Sequence, residues 1–380
     1  MKVLMACGGT GGHINPALAI ADIIKSKYPG TEFLFAGTPD SMESRLVPQA
    51  GYRIETIRVA GFQRSFAPKD IVRNVKAAAY LASSGRRAKE IVSGFNPDIA
   101  IGTGGYASGP VIRKAARMGI PTAIHEQNAY PGVTNRLLSR EVDCVMLTVK
   151  EALNFMEKDK FEYSVTGLPV RGSIAGISRS EAHRRLGMDD AFTILSFGGS
   201  LGAGCINETM TETIKWHVKK GLRINHIHGY GGMGRESFPQ AMKTAGIPLK
   251  SDRLRITEYI NDMDICLAAA DLVICRSGAS TLAELEAVGR ASVLIPSPVV
   301  TGNHQYHNAM VLGKADAAVV IEQKDVTADK LITIIEKLYN DPDRVEIMAH
   351  NARGLHLNDT NQRILDVIET LRKKSVRSKK

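Results

Sequence analysis

The stretch that most restricts the fold of this chain is Cys7–Pro16, which reads Cys-Gly-Gly-Thr-Gly-Gly-His-Ile-Asn-Pro. It follows a short apolar segment, Lys2–Ala6, that predicts a buried strand, and it precedes Ala17–Lys27, whose apolar residues recur at helical spacing. The Asn-Pro pair at its end is typical of a helix N-cap and first turn. One glycine here would indicate only close packing. Four glycines before a helix N-terminus, with His13 beside them, indicate a turn that binds an anion.

The composition is that of a globular, reduced protein with two domains. The chain has 380 residues, of which 44% are hydrophobic and 23% are charged. Its five cysteines contain no closely spaced pair, which favours a reducing compartment over a disulfide framework or a zinc site. The apolar run before the glycines is too short for a signal peptide, and no other run is long enough to span a bilayer. We therefore expect a protein of the cytoplasm or of the cytoplasmic face of a membrane.

The net charge of +10 is unevenly distributed along the chain. Residues 1–168 contain 21 basic and 15 acidic side chains, residues 169–347 contain 20 and 21, and residues 348–380 contain 8 and 3. A basic first half indicates an anionic partner such as nucleic acid, an anionic membrane surface or a phosphorylated substrate. The C-terminal run Arg372–Lys380 alone supplies six positive charges, and a solvated tail explains that run equally well.

Within the first half, Arg58–Lys89 combines eight basic side chains with a single acid, Asp70, and with interleaved apolar residues. Such a stretch can lie on an anionic membrane interface. It can equally form an ordinary amphipathic helix whose basic face is solvated, and the sequence leaves both interpretations open.

Strand-like and helix-like segments alternate throughout, which predicts an α/β fold with parallel sheets. The second predicted strand, Glu32–Ala36, ends without an acidic residue that could hold a ribose, which argues against NAD, and the first glycines lack the Lys-Ser/Thr of a Walker A loop. Beyond a linker-like Leu168–Arg171, the strand Phe192–Phe197 and the loop Gly198–Ala203 repeat the opening pattern. The sequence thus predicts two similar nucleotide-type domains that face each other across a cleft.

A second glycine loop in the first half, Gly102–Pro110, precedes a predicted helix, Pro110–Met118. Together with the opening turn it predicts two neighbouring phosphate-sized sites. The predicted strand Thr122–His125 then leads into His125–Asn128, His-Glu-Gln-Asn, at the end where parallel sheets bind ligands. For His125 by itself, a buried and hydrogen-bonded side chain is the better interpretation.

In the second half, Arg276–Leu285 places small hydroxylated residues at the start of a predicted helix and Glu284 in its second turn. Such a helix can offer N–H groups to a phosphate and a carboxylate to ribose hydroxyls. A capped helix with an exposed glutamate explains the pattern equally well. Gly302–Gln305 opens a further helix with polar groups at its start.

Seven motifs occur in order along the chain: Gly8–His13, Gly104–Tyr106, His125–Asn128, Pro169–Arg171, Gly198–Ser200, Ser277–Ala279 and Asn303–Gln305. The set resembles that of the MurG family of N-acetylglucosaminyltransferases, and the resemblance covers nearly the whole chain. Two positions depart from the family's pattern. Leu201 stands where a polar residue, often Gln, is usual at a donor contact, and Leu168 stands where Asn is usual.

The resemblance implies an α/β fold of the GT-B type, with two Rossmann-like domains of parallel sheets facing across a cleft. Residues 1–168, joined by the C-terminal helix 350–380, would bind the acceptor and associate with an anionic membrane surface, and residues 169–349 would bind the donor. The donor would be UDP-N-acetylglucosamine, and the acceptor would be undecaprenyl-diphosphate-linked N-acetylmuramoyl-pentapeptide. The acceptor 4-hydroxyl would displace UDP with inversion, without metal or other cofactor, in peptidoglycan synthesis at the cytoplasmic face of the bacterial cell membrane.

The resemblance also implies roles for individual residues. His13 is our choice for the general base, because an imidazole suits removal of a hydroxyl proton near neutral pH, and Glu126 is the second candidate or a partner that orients a neighbour. Gly104, Gly105 and Tyr106 would contact the acceptor.

The residues implied for donor binding are Thr10, Gly11, Gly12, Asn128, Arg171, Ser200, Ile260, Ala279, Ser280, Thr281, Leu282, Ala283, Glu284 and Gln305. Among these, Arg171 and Ser200 would meet the diphosphate, and the Ile260 backbone would contact the uracil. Glu284 would bind the ribose hydroxyls, while Asn128 and Gln305 would hold the sugar.

Three other functions remain open on the sequence. A related GT-B enzyme with a glycolipid acceptor, or a sugar-nucleotide epimerase of the same fold, would use similar glycine loops. A nucleic-acid-binding protein would suit the charge of +10, but aromatic residues make up only 6% of the chain and no RNA- or DNA-binding module is evident. Failure to use the muramoyl acceptor would support the glycolipid enzyme, and donor turnover without any acceptor would support the epimerase. Salt-sensitive retention of RNA would support a nucleic-acid-binding protein.

Overall fold

The computed structural model describes residues 1–59, 83–170, 174, 176–199 and 201–378, with side chains to 376. Arg171, Ser200 and most of the basic stretch Arg58–Lys89 lie outside the described residues, so their predicted roles are not addressed by the structure. The chain divides into two compact units, one formed by Met1–Pro169 with Asp359–Lys380 and the other by Val170–Asn358.

The first unit is a seven-stranded parallel sheet in the order β3-β2-β1-β4-β5-β6-β7. Its strands are β1 (Lys2–Ala6), β2 (Glu32–Gly37), β3 (Arg53–Thr56), β4 (Ile99–Gly102), β5 (Thr122–Glu126), β6 (Cys144–Leu147) and β7 (Tyr163–Val165). Its helices are α1 (Gly11–Lys27), α2 (Glu43–Gln49), α3 (83–95), α4 (Ser108–Arg117), α5 (Val133–Leu138) and α14 (Thr360–Ser378). Alternating side chains of the central strand β1 enter two apolar cores: Val3 and Met5 face one, and Leu4 and Ala6 face the other.

The second unit is a six-stranded parallel sheet in the order β10-β9-β8-β11-β12-β13. Its strands are β8 (Phe192–Phe197), β9 (Ile224–Gly229), β10 (Leu254–Thr257), β11 (Leu272–Cys275), β12 (Ala291–Leu294) and β13 (Ala318–Val320). Its helices are α6 (Arg179–Leu186), α7 (Gly204–Lys219), α8 (Ser237–Thr244), α9 (Met263–Ala269), α10 (Ala279–Val288), α11 (His304–Lys314), α12 (Ala328–Tyr339) and α13 (Pro342–Leu355). Among the helices described in either unit, none is long and apolar enough to cross a membrane.

The C-terminal helix returns to the first unit later than the sequence predicted. The predicted boundary between residues 349 and 350 falls inside α13, which packs on the second unit through Met348 and Ala352. Helix α14 instead buries Ile364 and Ile368 in the core of the first unit. The division between the units therefore lies in the short connection after α13, at Asn358 and Asp359.

Helix α1 begins earlier than the Asn15-Pro16 pair predicted. Thr10 has an extended backbone, with φ of −148° and ψ of 157°, and serves as the N-cap residue, so the helix starts at Gly11 and Pro16 lies inside it. His13 consequently belongs to the first helical turn, where its N–H bonds to the Thr10 carbonyl oxygen at 3.0 Å. The backbone of His13 is therefore held by the helix and is not part of the preceding loop.

Candidate active site

Three loops of the first unit meet at the carboxyl edge of its sheet. They follow β1, β4 and β5, which are neighbours in the sheet. The order reverses between β1 and β4, since β2 lies on one side of β1 and β4 on the other, and such a switch point is where open α/β sheets bind ligands. The predicted residues from Thr10 to His13, Gly104 to Tyr106, and Glu126 to Asn128 lie in these loops or in the helix turn and strand end that adjoin them.

A buried carboxylate occupies part of the opening glycine turn. Glu43 accepts the Gly9 N–H at 3.1 Å and both the N–H and the hydroxyl of Thr38, at 2.9 and 2.6 Å. Burial alone would raise the pKa of Glu43, but these hydrogen bonds outweigh it and hold the pKa below its ordinary value. The expectation that the whole turn cradles an anion is therefore too broad, because the protein's own carboxylate already takes the Gly9 amide. The N–H groups of Gly11 and Gly12, at the start of α1, have no carbonyl partner within the helix.

The second glycine loop packs directly against the first. A Cβ at Gly105 would lie 2.2 Å from the Gly8 carbonyl oxygen, and φ of +84° at this residue also requires glycine. A Cβ at Gly104 would lie 2.9 Å from the His13 ring. These two glycines therefore allow the loops and the imidazole to approach closely. The next residue, Tyr106, which was predicted to contact the acceptor, has a side chain that is 59% exposed.

Glu126 is buried at the end of β5 and organises the loop that follows. One carboxylate oxygen accepts the backbone N–H and the Nδ2 of Asn128, at 2.9 and 3.1 Å. The other accepts the Gly132 N–H and the Asn135 Nδ2, at 3.0 and 2.8 Å. Four donors therefore converge on its two oxygens, which favours the orienting role among the two that the sequence suggested.

Gln127, to which the sequence analysis gave no role, joins His13 to His125. Its Oε1 lies 3.0 Å from Nδ1 of His13, and its Nε2 lies 3.1 Å from Nδ1 of His125. His125 is fully buried, and its Nε2 donates to the Gly167 carbonyl oxygen at 3.0 Å. The sequence could have indicated the contact between Gln127 and His125, because residues two positions apart lie on the same side of an extended segment.

In the second unit, the loops after β8 and β11 lie side by side at the carboxyl edge, because these strands are neighbours. Gly198, Gly199 and Gly202 shape the first loop, and a Cβ at Gly198 would lie 2.2 Å from the Ala203 N atom at the start of α7. Leu201, where the family's pattern has a polar residue, is 72% exposed.

The second of these loops leads into α10, which follows Gly278 and begins at Ala279. Ala279, Ser280 and Thr281 therefore present N–H groups at the helix N-terminus, while Leu282 and Ala283 bury their side chains and Glu284 is half-buried. The Ser277 hydroxyl donates to the Gln305 carbonyl oxygen at 2.7 Å. This bond ties the start of α10 to the start of α11.

Arg276 adds a positive charge beside the start of α10 that the sequence analysis did not assign. Its guanidinium donates to the carbonyl oxygens of Ile295 and Pro296, at 3.0 and 3.1 Å, to Gln323 Oε1 at 2.6 Å and to Cys205 Sγ at 3.4 Å. All four acceptors are neutral, since burial raises the pKa of the Cys205 thiol. The guanidinium charge therefore adds to the positive end of the helix and favours an anion.

Ile260 lies in the connection between β10 and α9, and its buried side chain packs near Gly229. Arg255 and Asp262 hold this connection with two parallel hydrogen bonds of 2.8 and 2.7 Å. These bonds raise the pKa of Arg255 and lower that of Asp262.

Gln305, in the first turn of α11, accepts the Ser297 N–H at its Oε1.

Among the described residues, no group of three or more His, Cys, Asp or Glu side chains could hold a metal ion.

The two parallel sheets and their glycine loops are those of the GT-B fold, and the family matches define the class of protein as a glycosyltransferase. Residues 3–147 match the N-terminal domain of glycosyltransferase family 28, and residues 193–364 match its C-terminal domain. A relative from Acetivibrio thermocellus is 44% identical over 374 residues, with 98% of this chain and 99% of the relative covered. It is named UDP-N-acetylglucosamine–N-acetylmuramyl-(pentapeptide) pyrophosphoryl-undecaprenol N-acetylglucosamine transferase. The chain belongs to this MurG family.

Solved structures agree with that membership. The crystal structure of Acinetobacter baumannii MurG matches with a TM-score of 0.76 at 28% identity, covering 97% of this chain and 99% of that one. A UDP-GlcNAc 2-epimerase from Neisseria meningitidis matches with a TM-score of 0.64 at only 13% identity, covering 97% of this chain and all of that one. The second match reflects the shared fold alone.

Proposed function

We propose that this protein transfers N-acetylglucosamine from UDP-N-acetylglucosamine to the 4-hydroxyl of undecaprenyl-diphosphate-linked N-acetylmuramoyl-pentapeptide. The relatives named for this transfer match the chain over nearly its full length. The single observation that carries the mechanism is the position of His13, on the first turn of α1, with its ring bonded through Nδ1 to Gln127. Because this bond occupies Nδ1, Nε2 is the ring nitrogen to which we assign the proton transfer.

In the proposed reaction, the acceptor hydroxyl oxygen attacks the anomeric carbon of the donor sugar from the face opposite UDP. His13 Nε2 takes the hydroxyl proton, the new glycosidic bond forms with inverted configuration, and the bond to UDP breaks with its electrons left on the diphosphate. Glu126 fixes Asn128, whose side chain would hydrogen-bond the donor sugar. Thr10, Gly11 and Gly12 would line the same region.

The second unit would bind the nucleotide. The N–H groups of Ala279 to Thr281 and the Arg276 charge suit a diphosphate, together with Arg171 and Ser200 from outside the described residues. Glu284 would bind the ribose, and the Ile260 backbone would contact the uracil. Because Gln305 already uses its Oε1, its Nε2 would donate to the sugar. Helix amides and cations would thus stabilise the leaving UDP without a cofactor.

The decisive test compares wild type with His13→Ala in transfer of labelled N-acetylglucosamine to a short-chain lipid-linked muramoyl-peptide. We expect product from wild type, and a kcat lower by about 10²- to 10⁴-fold in the variant with UDP binding retained, because general base catalysis contributes on that order. His350→Ala, which changes an exposed histidine on α13, is the matched control and should keep wild-type turnover.

Each other outcome has a definite meaning. Near-normal turnover by His13→Ala would show that His13 is not the base and would make Glu126 the candidate. Wild type that transfers only to a glycolipid would contradict the acceptor, and donor turnover in the absence of any acceptor would indicate an epimerase.

We also propose that the protein acts peripherally at the cytoplasmic face of the bacterial cell membrane, where its acceptor is displayed. Residues 1–168 carry 21 basic and 15 acidic side chains, which suits an anionic surface. We expect co-sedimentation with vesicles that contain phosphatidylglycerol, much less with pure phosphatidylcholine, and release at about 0.5 M NaCl because salt screens surface charges. Equal retention on both vesicle types would contradict an electrostatic attachment.

A further inference from the structure

We infer that Gln127 is a positioning residue that determines which nitrogen of His13 carries its proton, through a hydrogen-bonded chain anchored at the Gly167 carbonyl. The inference rests on the proposed function only in giving His13 the role of base. The chain itself consists of four groups in the first unit: the His13 ring, the Gln127 amide, the His125 ring and the Gly167 carbonyl.

The anchored end of this chain is His125. A carbonyl oxygen only accepts hydrogen bonds, so the His125 Nε2, which lies 3.0 Å from the Gly167 oxygen, must carry a proton. The ring is fully buried, and this burial lowers the pKa of His125, so the ring is neutral near pH 7. Its Nδ1 is then unprotonated and acts as an acceptor.

The middle group, Gln127, has only one orientation that satisfies its neighbours. Its Nε2 lies 2.8 Å from the His125 carbonyl oxygen and 3.1 Å from the His125 Nδ1, and both of these atoms are acceptors. The two amide protons must therefore point to them. The opposite orientation would set the Gln127 oxygen against a carbonyl oxygen at hydrogen-bond distance. The Gln127 Oε1 is thereby directed to His13.

This arrangement determines which ring nitrogen of His13, the last group, carries the proton. Gln127 Oε1 can only accept, so the His13 Nδ1, 3.0 Å away, must donate. A neutral His13 ring with its proton on Nδ1 keeps a lone pair on Nε2, which is the state that a general base requires. Flipping the ring would place a C–H group against Gln127 and lose the bond. Gly104, which has no Cβ to meet the ring, allows this close placement.

The same bond survives proton transfer. A protonated His13 also has a proton on Nδ1, so Gln127 accepts it before and after the step and no group needs to reorient. Because Gln127 is neutral, it selects the tautomer without adding a charge beside the ring. Glu126, the neighbouring carboxylate, directs its oxygens to Asn128, Gly132 and Asn135 instead.

The test measures the tautomer directly, by NMR of protein labelled with ¹⁵N in its histidine rings. The chain has ten histidines, and the His13 signals are identified by their loss in His13→Ala. In wild type at a pH where His13 is neutral, we expect a protonated Nδ1 and an unprotonated Nε2. In Gln127→Met, which keeps the side-chain length but removes the oxygen, we expect a mixture of tautomers. We also expect kcat to fall by about 10- to 100-fold with the donor KM within about 2-fold, part of the general-base contribution.

Thr103→Val is the matched control. The Thr103 hydroxyl donates to the His13 carbonyl oxygen at 2.7 Å, so this variant loses a bond of the same helical turn that does not touch the ring. It should keep the wild-type tautomer. A wild-type His13 with its proton on Nε2 would overturn the inference even if no variant folds, and so would a Gln127→Met protein with unchanged tautomer. A changed tautomer with unchanged kcat would uphold the positioning by Gln127 and contradict only the role of His13 as base.

Discussion

Lowering the pH from 7.5 to 5 is expected to destabilise the Val170–Asn358 unit by at least about 6 kcal/mol, since a cluster of three buried histidines would have to fold neutral while the unfolded chain binds protons. A fourth buried histidine, His183, adds to this loss, because burial lowers its pKa as well. His217, His226 and His228 are all buried in this unit. His217 Nε2 lies 3.2 Å from His226 Nδ1, and the Ser196 hydroxyl lies 2.9 Å from His226 Nε2 and 2.8 Å from His228 Nδ1. Among the residues that the structure describes, no carboxylate takes part in this chain of contacts.

The direction of the effect follows from the pKa values. Burial lowers the pKa of His217 to about 4 and that of His228 to about 3. Burial, together with the charges of its two neighbours, lowers the pKa of His226 well below its ordinary value. In the unfolded chain the three would titrate near pH 6.5, so the folding stability is fully present above that pH and falls as the pH decreases below it. At pH 5 a ring that stays neutral in the folded unit contributes a loss of about 2 kcal/mol.

A loss of that size is comparable to the whole stability of many domains, which is about 5–15 kcal/mol. Urea unfolding at several pH values measures it, and the fluorescence of Trp216, the only tryptophan of the chain, reports on this unit. His217→Phe should reduce the loss by about 2 kcal/mol, because one titrating ring is removed. His350→Ala, at an exposed position, should not change it. A wild-type stability that varies by less than about 1 kcal/mol over this range would contradict the account.

The strands of both sheets could be predicted because buried parallel strands are short, continuous apolar runs bounded by glycine loops. Lys2–Ala6 and Phe192–Phe197 are strands with the predicted bounds. Helix starts were harder to predict. α1 begins at Gly11 and α4 at Ser108, ahead of Asn15-Pro16 and Pro110. Neither start has a side-chain cap at its N-cap residue, Thr10 or Ala107, so no local capping signal marks it.

The site could be predicted as a set of residues but not as a set of contacts. The glycine loops, His13 and His125–Asn128 are recognisable because chemistry-bearing residues follow predicted strands. Glu43 was missed because it reaches Gly9 from 34 positions away, and nothing in its local sequence indicates a buried carboxylate. The link from Gln127 to His13 spans 114 positions, and only the fold of three neighbouring strands creates it.

Replacing Glu126 by Gln is expected to lower kcat/KM by about 100-fold and to destabilise the protein by about 2–6 kcal/mol, although the side chain keeps its shape. The carboxylate accepts four donors, two at each oxygen. A glutamine has one oxygen and one NH₂ group. The NH₂ group, itself a donor, would therefore face either the two N–H donors of Asn128 or the two N–H donors of Gly132 and Asn135. Each buried donor left without an acceptor costs about 1–3 kcal/mol.

The kinetic pattern separates this organising role from that of a base. If Glu126 holds Asn128 for the donor sugar, Glu126→Gln should raise the donor KM and leave the pH dependence of kcat unchanged, because the titrating base is still present. Glu151→Gln, the same change at an exposed position, should behave as wild type. Loss of the acidic limb of the pH profile in Glu126→Gln, with the donor KM unaltered, would instead make Glu126 the base and would place His13 in a supporting role.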